Sequence, residues 1–118
     1  MAPIPEKVEP DRDPIVETDV VIIGGGIIGV SAALTLAEKG IAVALFEKGE
    51  IAAEQSSRNW GWCRQQGRDP REMSLIIESL LRWGEMSARS GQDVGYRECG
   101  FLCLAQNETE LETLTSWT

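Results

Sequence analysis

The most constraining stretch of this sequence is residues 20–29, where a short apolar run meets three consecutive glycines and then an apolar helical pattern. That order predicts a strand, a tight turn and a helix. Gly24, Gly26 and Gly29 have the G-x-G-x-x-G spacing of a dinucleotide-binding turn. The first glycine makes the turn, the second lets a pyrophosphate approach the backbone, and the third lets the helix pack closely. The helix N-terminus then offers free N–H groups to phosphates.

The residues that follow meet the further requirements of such a unit. The helix is predicted to stop at Gly40, directly after Lys39. Residues 41–46 are continuously apolar, as a buried parallel strand requires. Glu47 ends this strand about 20 residues after the glycines, where a carboxylate accepts hydrogen bonds from ribose hydroxyls. The sequence predicts an α/β fold that opens with a βαβ dinucleotide-binding unit; a glycine-rich turn that only packs is the alternative.

Composition and charge exclude several classes of partner. The chain has 118 residues, a formal net charge of −8 and no histidine, so we expect no nucleic-acid binding. The three cysteines have no C-x-x-C spacing and there is no histidine, so we expect no metal site. Their odd number and the lack of a signal-peptide pattern predict reduced thiols in a cytoplasmic protein. No apolar run approaches the roughly 20 residues of a membrane span. The length suits one small domain or part of a larger one.

The chain divides into a tail and a folded part. Residues 1–14 hold four prolines and several acids, which predicts a disordered acidic tail. The lack of periodicity in residues 48–68 predicts a long loop, with a short helical turn near residues 52–56. Trp60 and Trp62 flank Gly61 in this loop, which indicates either a loop folded over a cofactor or one pinned to the core by its aromatic rings.

The second half predicts two helices and two short strands. Asp69 and Pro70 are typical of a helix start, and that helix should end near Gly91. Residues 94–98 and 101–105 have the composition of short strands. Asn107 is typical of an N-cap, and Leu111, Leu114 and Trp117 would form the apolar face of a last helix.

Residues 20–48 and the Ser-Ser-Arg-Asn-Trp-Gly stretch at 56–61 resemble the N-terminal segment of FAD-dependent amino-acid and amine oxidoreductases. This family includes D-amino-acid oxidase, glycine oxidase and sarcosine oxidase. The resemblance implies that residues 15–118 are the N-terminal segment of a Rossmann-like FAD-binding domain, incomplete without further chain and mostly lacking the substrate domain. It also implies FAD as the cofactor.

The resemblance implies a role for each part of the site. Gly24, Gly26 and Gly29, with Ile27 and Ile28, would line the FAD pyrophosphate. Glu47, between Phe46 and Lys48, would bind the adenosine ribose. The hydroxyls of Ser56 and Ser57 and the guanidinium of Arg58 would hold the pyrophosphate and ribityl region. The loop after them would run along the isoalloxazine ring, and its residues are Asn59, Trp60, Gly61, Trp62, Cys63, Arg64 and Gln65.

Two residues of that loop have open interpretations. Arg64 is a candidate catalytic residue that would meet a substrate carboxylate or the reduced flavin, with a plain surface arginine as the alternative. Cys63 is interpreted as a buried thiol rather than as a covalent flavin attachment, and the absence of histidine excludes a histidyl-flavin bond within this segment, so FAD is predicted to be non-covalent.

The implied activity is oxidation of a small amino acid or amine, with hydride transfer to flavin N5 and an imine as the product. Oxygen or a quinone could then reoxidise the flavin. The alternatives are an NAD-dependent dehydrogenase domain and a non-catalytic subunit that holds a cofactor. We expect the chain to work with the remaining polypeptide of the same precursor or a companion subunit, in an oligomer.

Overall fold

The computed structural model describes residues 7–116, which divide into two compact units. The first unit ends at Trp62 and the second begins at Cys63. Residues 1–6 and 117–118 lie outside the described residues, and so does the predicted contribution of Trp117 to a helix face. Residues 7–14 contain no helix or strand, and the predicted disorder of the tail stays a prediction.

The first unit is the βαβ arrangement that the glycine pattern predicts. Strand β1 (Val20–Ile23) pairs in parallel with strand β2 (Val43–Phe46), with Val20 opposite Val43 and Ile23 opposite Phe46. Helix α1 (Ile27–Glu38) connects the two strands. The unit therefore brings the carboxyl ends of both strands to the same edge of the sheet, beside the N-terminus of α1.

Helix α1 ends through backbone geometry at Gly40, as predicted. Gly40 has a φ of +76°, and its N–H donates to the carbonyl of Ala37 at 2.9 Å, while the N–H of Ile41 donates to Leu36 at 3.1 Å. These two bonds form a Schellman motif. They also explain why β2 begins at Val43 rather than at residue 41, since the N–H of Ile41 serves the helix end.

Close packing of α1 on β1 depends on Gly29. A Cβ added at this position would collide with the carbonyl oxygen of Gly24 and lie 3.3 Å from Cγ2 of Ile22. Gly24 itself has a φ of +109°, a conformation that side chains disfavour. The structural roles that the sequence predicts for these two glycines are therefore confirmed.

The core of the first unit is small. Ala44 on β2 is 3% exposed and is the one buried hydrophobic residue among residues 7–116. Ile23 at the end of β1 is 88% exposed and Ile28 in the first turn of α1 is 82% exposed. Large apolar side chains thus remain exposed along the strand ends and the helix.

The second unit contains two helices whose ends follow the sequence signals. Helix α2 (Met73–Ser90) follows a 3₁₀ turn at Pro70–Glu72, where the carboxylate of Asp69 accepts from the N–H of Arg71 at 2.9 Å, and it ends at Gly91 with a φ of +70°. Helix α3 (Glu108–Thr115) begins after Asn107, whose side chain accepts from the N–H of Glu110 at 2.9 Å. No helix between residues 7 and 116 is both long and apolar enough to span a membrane.

The prediction of strands at residues 94–98 and 101–105 is wrong for the described part of the chain. Gly95 and Gly100 have φ values of +74° and +75°, which interrupt the extended backbone. Leu102 and Leu104 are each 82% exposed. A strand needs a neighbour to pair its N–H and C=O groups, and the described residues supply none here. The ring of Tyr96 instead stacks on Trp83 of α2, with centroids 6.2 Å apart.

Candidate functional site

A cleft of about 460 Å³ lies in the first unit at the N-terminus of α1. Its walls are the end of β1, the glycine turn, the first turns of α1 as far as Ala32, and the side chains of Gln55 and Ser56. It therefore brings together the glycine fingerprint and the first of the two predicted serines. The positive end of the α1 dipole faces this space, which favours an anionic group.

Three backbone donors of the glycine turn and the start of α1 are already bonded. The N–H of Gly24 donates to the carbonyl of Phe46 at 2.8 Å, that of Gly25 to Glu47 Oε2 at 2.7 Å, and that of Ile27 to Ser56 Oγ at 2.8 Å. Within residues 7–116, the N–H groups of Gly26, Ile28 and Gly29 have no such acceptor. Free N–H donors at a helix N-terminus are suited to phosphate oxygens.

The carboxylate of Glu47 lies next to the turn and is fully ionised at neutral pH. Besides the bond from Gly25, its Oε1 accepts from the N–H of Gly49 at 2.9 Å. The N–H groups of Gly25 and Gly49 lower the pKa of this half-buried carboxyl below its usual value. Each carboxylate oxygen has a second lone pair, so Glu47 retains the capacity to accept from a ribose hydroxyl.

Gly26 leaves little space for a side chain. A Cβ added there would lie 3.1 Å from the hydroxyl oxygen of Ser56, at the mouth of the cleft. Gly25 is more restricted still, because an added Cβ would lie 2.5 Å from Cδ1 of Ile51 and 3.1 Å from Cβ of Glu47. Sequence reasoning missed this role of Gly25, since the fingerprint leaves its position open; the run of three glycines was the available signal.

The two predicted serines make different bonds. Ser56 accepts from the α1 N-terminus, whereas the hydroxyl of Ser57 donates to the carbonyl of Ala52 within its own loop. Ala52 has a φ of +60°, and its N–H donates to the carbonyl of Gly25 at 2.9 Å. The predicted helical turn near residues 52–56 is present as a 3₁₀ turn at Gln55–Ser57.

Two predicted cationic residues lie on the surface beside the loop. A guanidinium nitrogen of Arg58 lies 3.0 Å from a carboxylate oxygen of Glu54, and Nζ of Lys48 lies 3.8 Å from the other. Exposed ion pairs of this kind contribute about 0–1 kcal/mol to stability. Replacing Glu54 by a phosphate as the partner of Arg58 or Lys48 would therefore lose little free energy.

The aromatic loop is organised by Asn59. Its side-chain oxygen accepts from the N–H of Gly61 at 2.7 Å, and its amide group donates to the carbonyl of Ser56. Trp60 and Trp62 pack edge to face with centroids 6.2 Å apart, and they are 85% and 59% exposed. The loop thus presents two indole rings while being tied to the residue that caps α1.

The remaining predicted site residues belong to the second unit. Arg64 is half-buried and donates to the carbonyl of Gln66 in its own loop, and Gln65 is exposed. The interpretation of Cys63 as a buried thiol is wrong in this structure, since the residue is exposed. Atoms close to its sulfur nevertheless raise the pKa of the thiol through desolvation.

Residues 19–118 match the family described as "DAO: FAD dependent oxidoreductase". The chain belongs to this family. Among its relatives, a glycine oxidase of Geobacillus kaustophilus is 34% identical over 103 residues, covering 81% of this chain and 27% of the relative. One of the subunits of an opine oxidase from Rhizobium meliloti is 32% identical over 105 residues, covering 83% of this chain and 28% of the relative.

Solved structures show the same family relationship for this DAO-family chain. An L-amino acid deaminase from Proteus myxofaciens in complex with anthranilate superposes with a TM-score of 0.89 at 35% identity, covering 95% of this chain and 25% of that protein. A glycine oxidase from Bacillus cereus superposes with a TM-score of 0.71 at 39% identity, covering 85% and 29%. The chain thus spans about a quarter of the length of these relatives.

The residues of the cleft fit the FAD that this family uses. The free N–H groups of Gly26 and Ile28 match the oxygens of a pyrophosphate, and an added Cβ at Gly26 would fill the space where it meets the backbone. Glu47, which bonds Gly25 beside the cleft, has the acceptor capacity that ribose hydroxyls require. Donor set, charge and space therefore agree with the cofactor of the DAO family.

Proposed function

We propose that the protein containing this chain oxidises a small amino acid or amine with non-covalently bound FAD, and that this chain supplies the FAD-binding segment. One observation carries the proposal: Gly26, Ile28 and Gly29, whose N–H groups are free, line a cleft at the N-terminus of α1 in a chain of the DAO family.

The adenosine diphosphate half of FAD would be held by the first unit. The free N–H groups of Gly26 and Ile28 would donate to the pyrophosphate, and the hydroxyl proton of Ser56 would point to the same anion, because its oxygen already accepts from Ile27. Arg58 would reach the pyrophosphate after leaving its exposed pair with Glu54. Glu47 would accept from the ribose hydroxyls, with Lys48 beside the adenine.

The flavin half would meet the loop that follows. The redox chemistry that FAD would supply when bound is acceptance of a hydride from the C–H next to the substrate nitrogen, with an imine as the product. The loop that Asn59 organises would place backbone and indole groups along the ring and exclude water from it. Arg64 would then orient a substrate carboxylate, a role that agrees with relatives named for amino-acid substrates.

Further polypeptide would complete the site. The relatives are about four times as long as the aligned segment, and one of them is named as part of a multi-subunit opine oxidase. We therefore propose that the chain acts together with the remainder of the same precursor or a companion subunit, in an oligomer. Its location in the cytoplasm stays a prediction.

The proposal is tested on the full-length protein as purified. We expect a yellow protein whose flavin is released by denaturation and has the mass of FAD, which separates non-covalent from covalent attachment. A colourless protein that instead retains NAD would support the dehydrogenase alternative. A yellow protein that turns over no amino acid or amine would support the non-catalytic subunit.

A further inference from the structure

We propose that residues 47–57, which we call the clasp, hold the glycine turn in its cofactor-binding shape before FAD arrives. In this arrangement Ile51 is a positioning residue that bears on Gly25. The inference rests on the proposed FAD site and concerns how that site is kept ready.

Three hydrogen bonds join the clasp to the glycine turn. Glu47 accepts from the N–H of Gly25 at 2.7 Å, and the N–H of Ala52 donates to the carbonyl of Gly25 at 2.9 Å. Ser56 accepts from the N–H of Ile27 at 2.8 Å. Both backbone polar groups of Gly25 are therefore satisfied by the clasp, and a third bond fixes the start of α1.

Packing adds a steric restraint to these bonds. The side chain of Ile51 lies over Gly25 so closely that an added Cβ would be 2.5 Å from its Cδ1. The dinucleotide fingerprint accepts any residue at this position. The added Cβ would also lie 3.1 Å from Cβ of Glu47, so two side chains of the clasp restrict position 25 independently of any contact with the cofactor.

The clasp itself has an unusual backbone conformation at the residue that reaches the turn. Ala52 has a φ of +60°, where residues other than glycine are disfavoured. The hydroxyl of Ser57 donates to the carbonyl of this residue, and the N–H of Ala53 donates to Glu50 at 3.2 Å. Internal bonds thus maintain a conformation that is costly by itself, and such conformations persist only where surrounding contacts determine them.

A glycine turn that is already ordered reduces the conformational entropy lost when FAD binds. Two of the donors that remain free for a pyrophosphate, the N–H groups of Gly26 and Ile28, are next to the residues that the clasp fixes. Ordering a glycine-rich turn during binding would lower affinity, whereas a preorganised turn avoids that loss. The clasp should therefore set FAD affinity without taking part in the reaction.

The test uses flavin-depleted full-length protein titrated with FAD. Gly25→Ala should raise the Kd for FAD about tenfold, because the new methyl group displaces Ile51. Ile51→Val, which removes Cδ1, should raise it only a few-fold. The double variant should bind better than Gly25→Ala alone, since the alanine methyl group occupies the space that Cδ1 leaves and then meets only Cβ and Cγ of Glu47, at 3.1 and 3.2 Å.

Gly49→Ala is the matched control, because it makes the same change within the clasp at a position where an added Cβ meets only Oε1 of Glu47, at 3.8 Å. It should leave the Kd unchanged. Turnover per bound flavin should be unchanged in all these variants. A merely structural role for Ile51 would shift the unfolding temperature of the variants while leaving the Kd unchanged, and that result would overturn the proposal.

Ile51→Ala provides a second test that does not depend on tolerance of a new side chain at position 25. It should raise the Kd and accelerate hydrogen exchange of the amides of Gly25 and Ile27 in the flavin-depleted protein. Unchanged exchange and affinity, or a double variant no better than Gly25→Ala alone, would also overturn the clasp. Failure of wild type to bind FAD would instead contradict the proposed function.

Discussion

The hydroxyl of Ser56 caps helix α1 from a loop 29 residues further along the chain, accepting a hydrogen bond of 2.8 Å from the N–H of Ile27. The residue at the N-cap position, Gly26, has no side chain with which to do this. The loop thereby supplies the capping group, while the glycine leaves space for a ligand.

The two neighbouring serines should therefore respond differently to removal of their hydroxyls. Ser56→Ala should weaken FAD binding roughly tenfold, because it removes a donor aimed at an anion. Ser57→Ala should lower the free energy of unfolding by about 1 kcal/mol and raise the Kd for FAD only a few-fold, since that hydroxyl bonds Ala52 within the clasp and not the cofactor. FAD titrations and thermal unfolding of both variants check this; equal losses of affinity would contradict it.

Gly26 should tolerate substitution in proportion to side-chain size. Gly26→Val should abolish FAD binding, because the side chain would occupy the space between the backbone and the pyrophosphate. Gly26→Ala should have an intermediate affinity, since its Cβ would lie 3.1 Å from Ser56 Oγ. The flavin-to-protein ratio after purification measures both. A full complement of flavin in the valine variant would show that the glycine fingerprint does not bind the cofactor.

Protonation of Glu47 should weaken FAD binding at acid pH. Because hydrogen bonds lower its pKa in the folded protein, its contribution is complete above the ordinary value of 4.5 and is lost as the pH falls through the lower folded value. Glu47→Ala should weaken binding by roughly ten- to a hundredfold at neutral pH. In Glu47→Gln the acid-dependent step should disappear from the affinity–pH profile. An unchanged profile in the glutamine variant would assign the step to another group.

Replacement of Arg64 should change the reaction with substrate and leave the FAD content unchanged. Arg64→Ala should raise KM or slow flavin reduction while the flavin-to-protein ratio stays at the wild-type level, because a carboxylate loses its partner. Arg68→Ala, an exposed arginine of the same basic stretch, is the control and should behave as wild type. Wild-type kinetics in Arg64→Ala would make Arg64 a surface residue.

The 118-residue polypeptide by itself should aggregate or form a loosely packed state without flavin. Ala44 is the one buried hydrophobic residue of the described chain, whereas Ile23, Trp60 and Leu104 are 88%, 85% and 82% exposed. Apolar surface on this scale promotes association. Co-expression with the remaining polypeptide should restore a soluble yellow complex. A monodisperse, cooperatively unfolding and flavin-loaded monomer of this polypeptide would contradict the expectation.

The parts of the fold that the sequence predicts correctly are those with local signals. Glycine spacing and apolar runs predict β1 and α1, and Gly40, Asp69 and Asn107 mark helix ends through their own backbone or side-chain bonds. These signals act over a few residues, so they can be interpreted without knowing the path of the chain.

The parts that sequence reasoning misses depend on contacts between distant residues. The bond from Ile27 to Ser56 and the packing of Ile51 on Gly25 depend on the path of a loop without periodicity. The strands predicted at residues 94–98 and 101–105 fail for the same reason, because composition favours a strand but does not provide its hydrogen-bonding neighbour.

The central claim is most directly tested by mixing the full-length protein with amino acids and amines in the absence of oxygen while its absorption spectrum is recorded. We predict that the flavin spectrum bleaches with at least one such substrate, with an imine or its hydrolysis product formed in equal amount. An oxidised flavin spectrum that no amino acid or amine changes, in a protein that retains FAD, would contradict it.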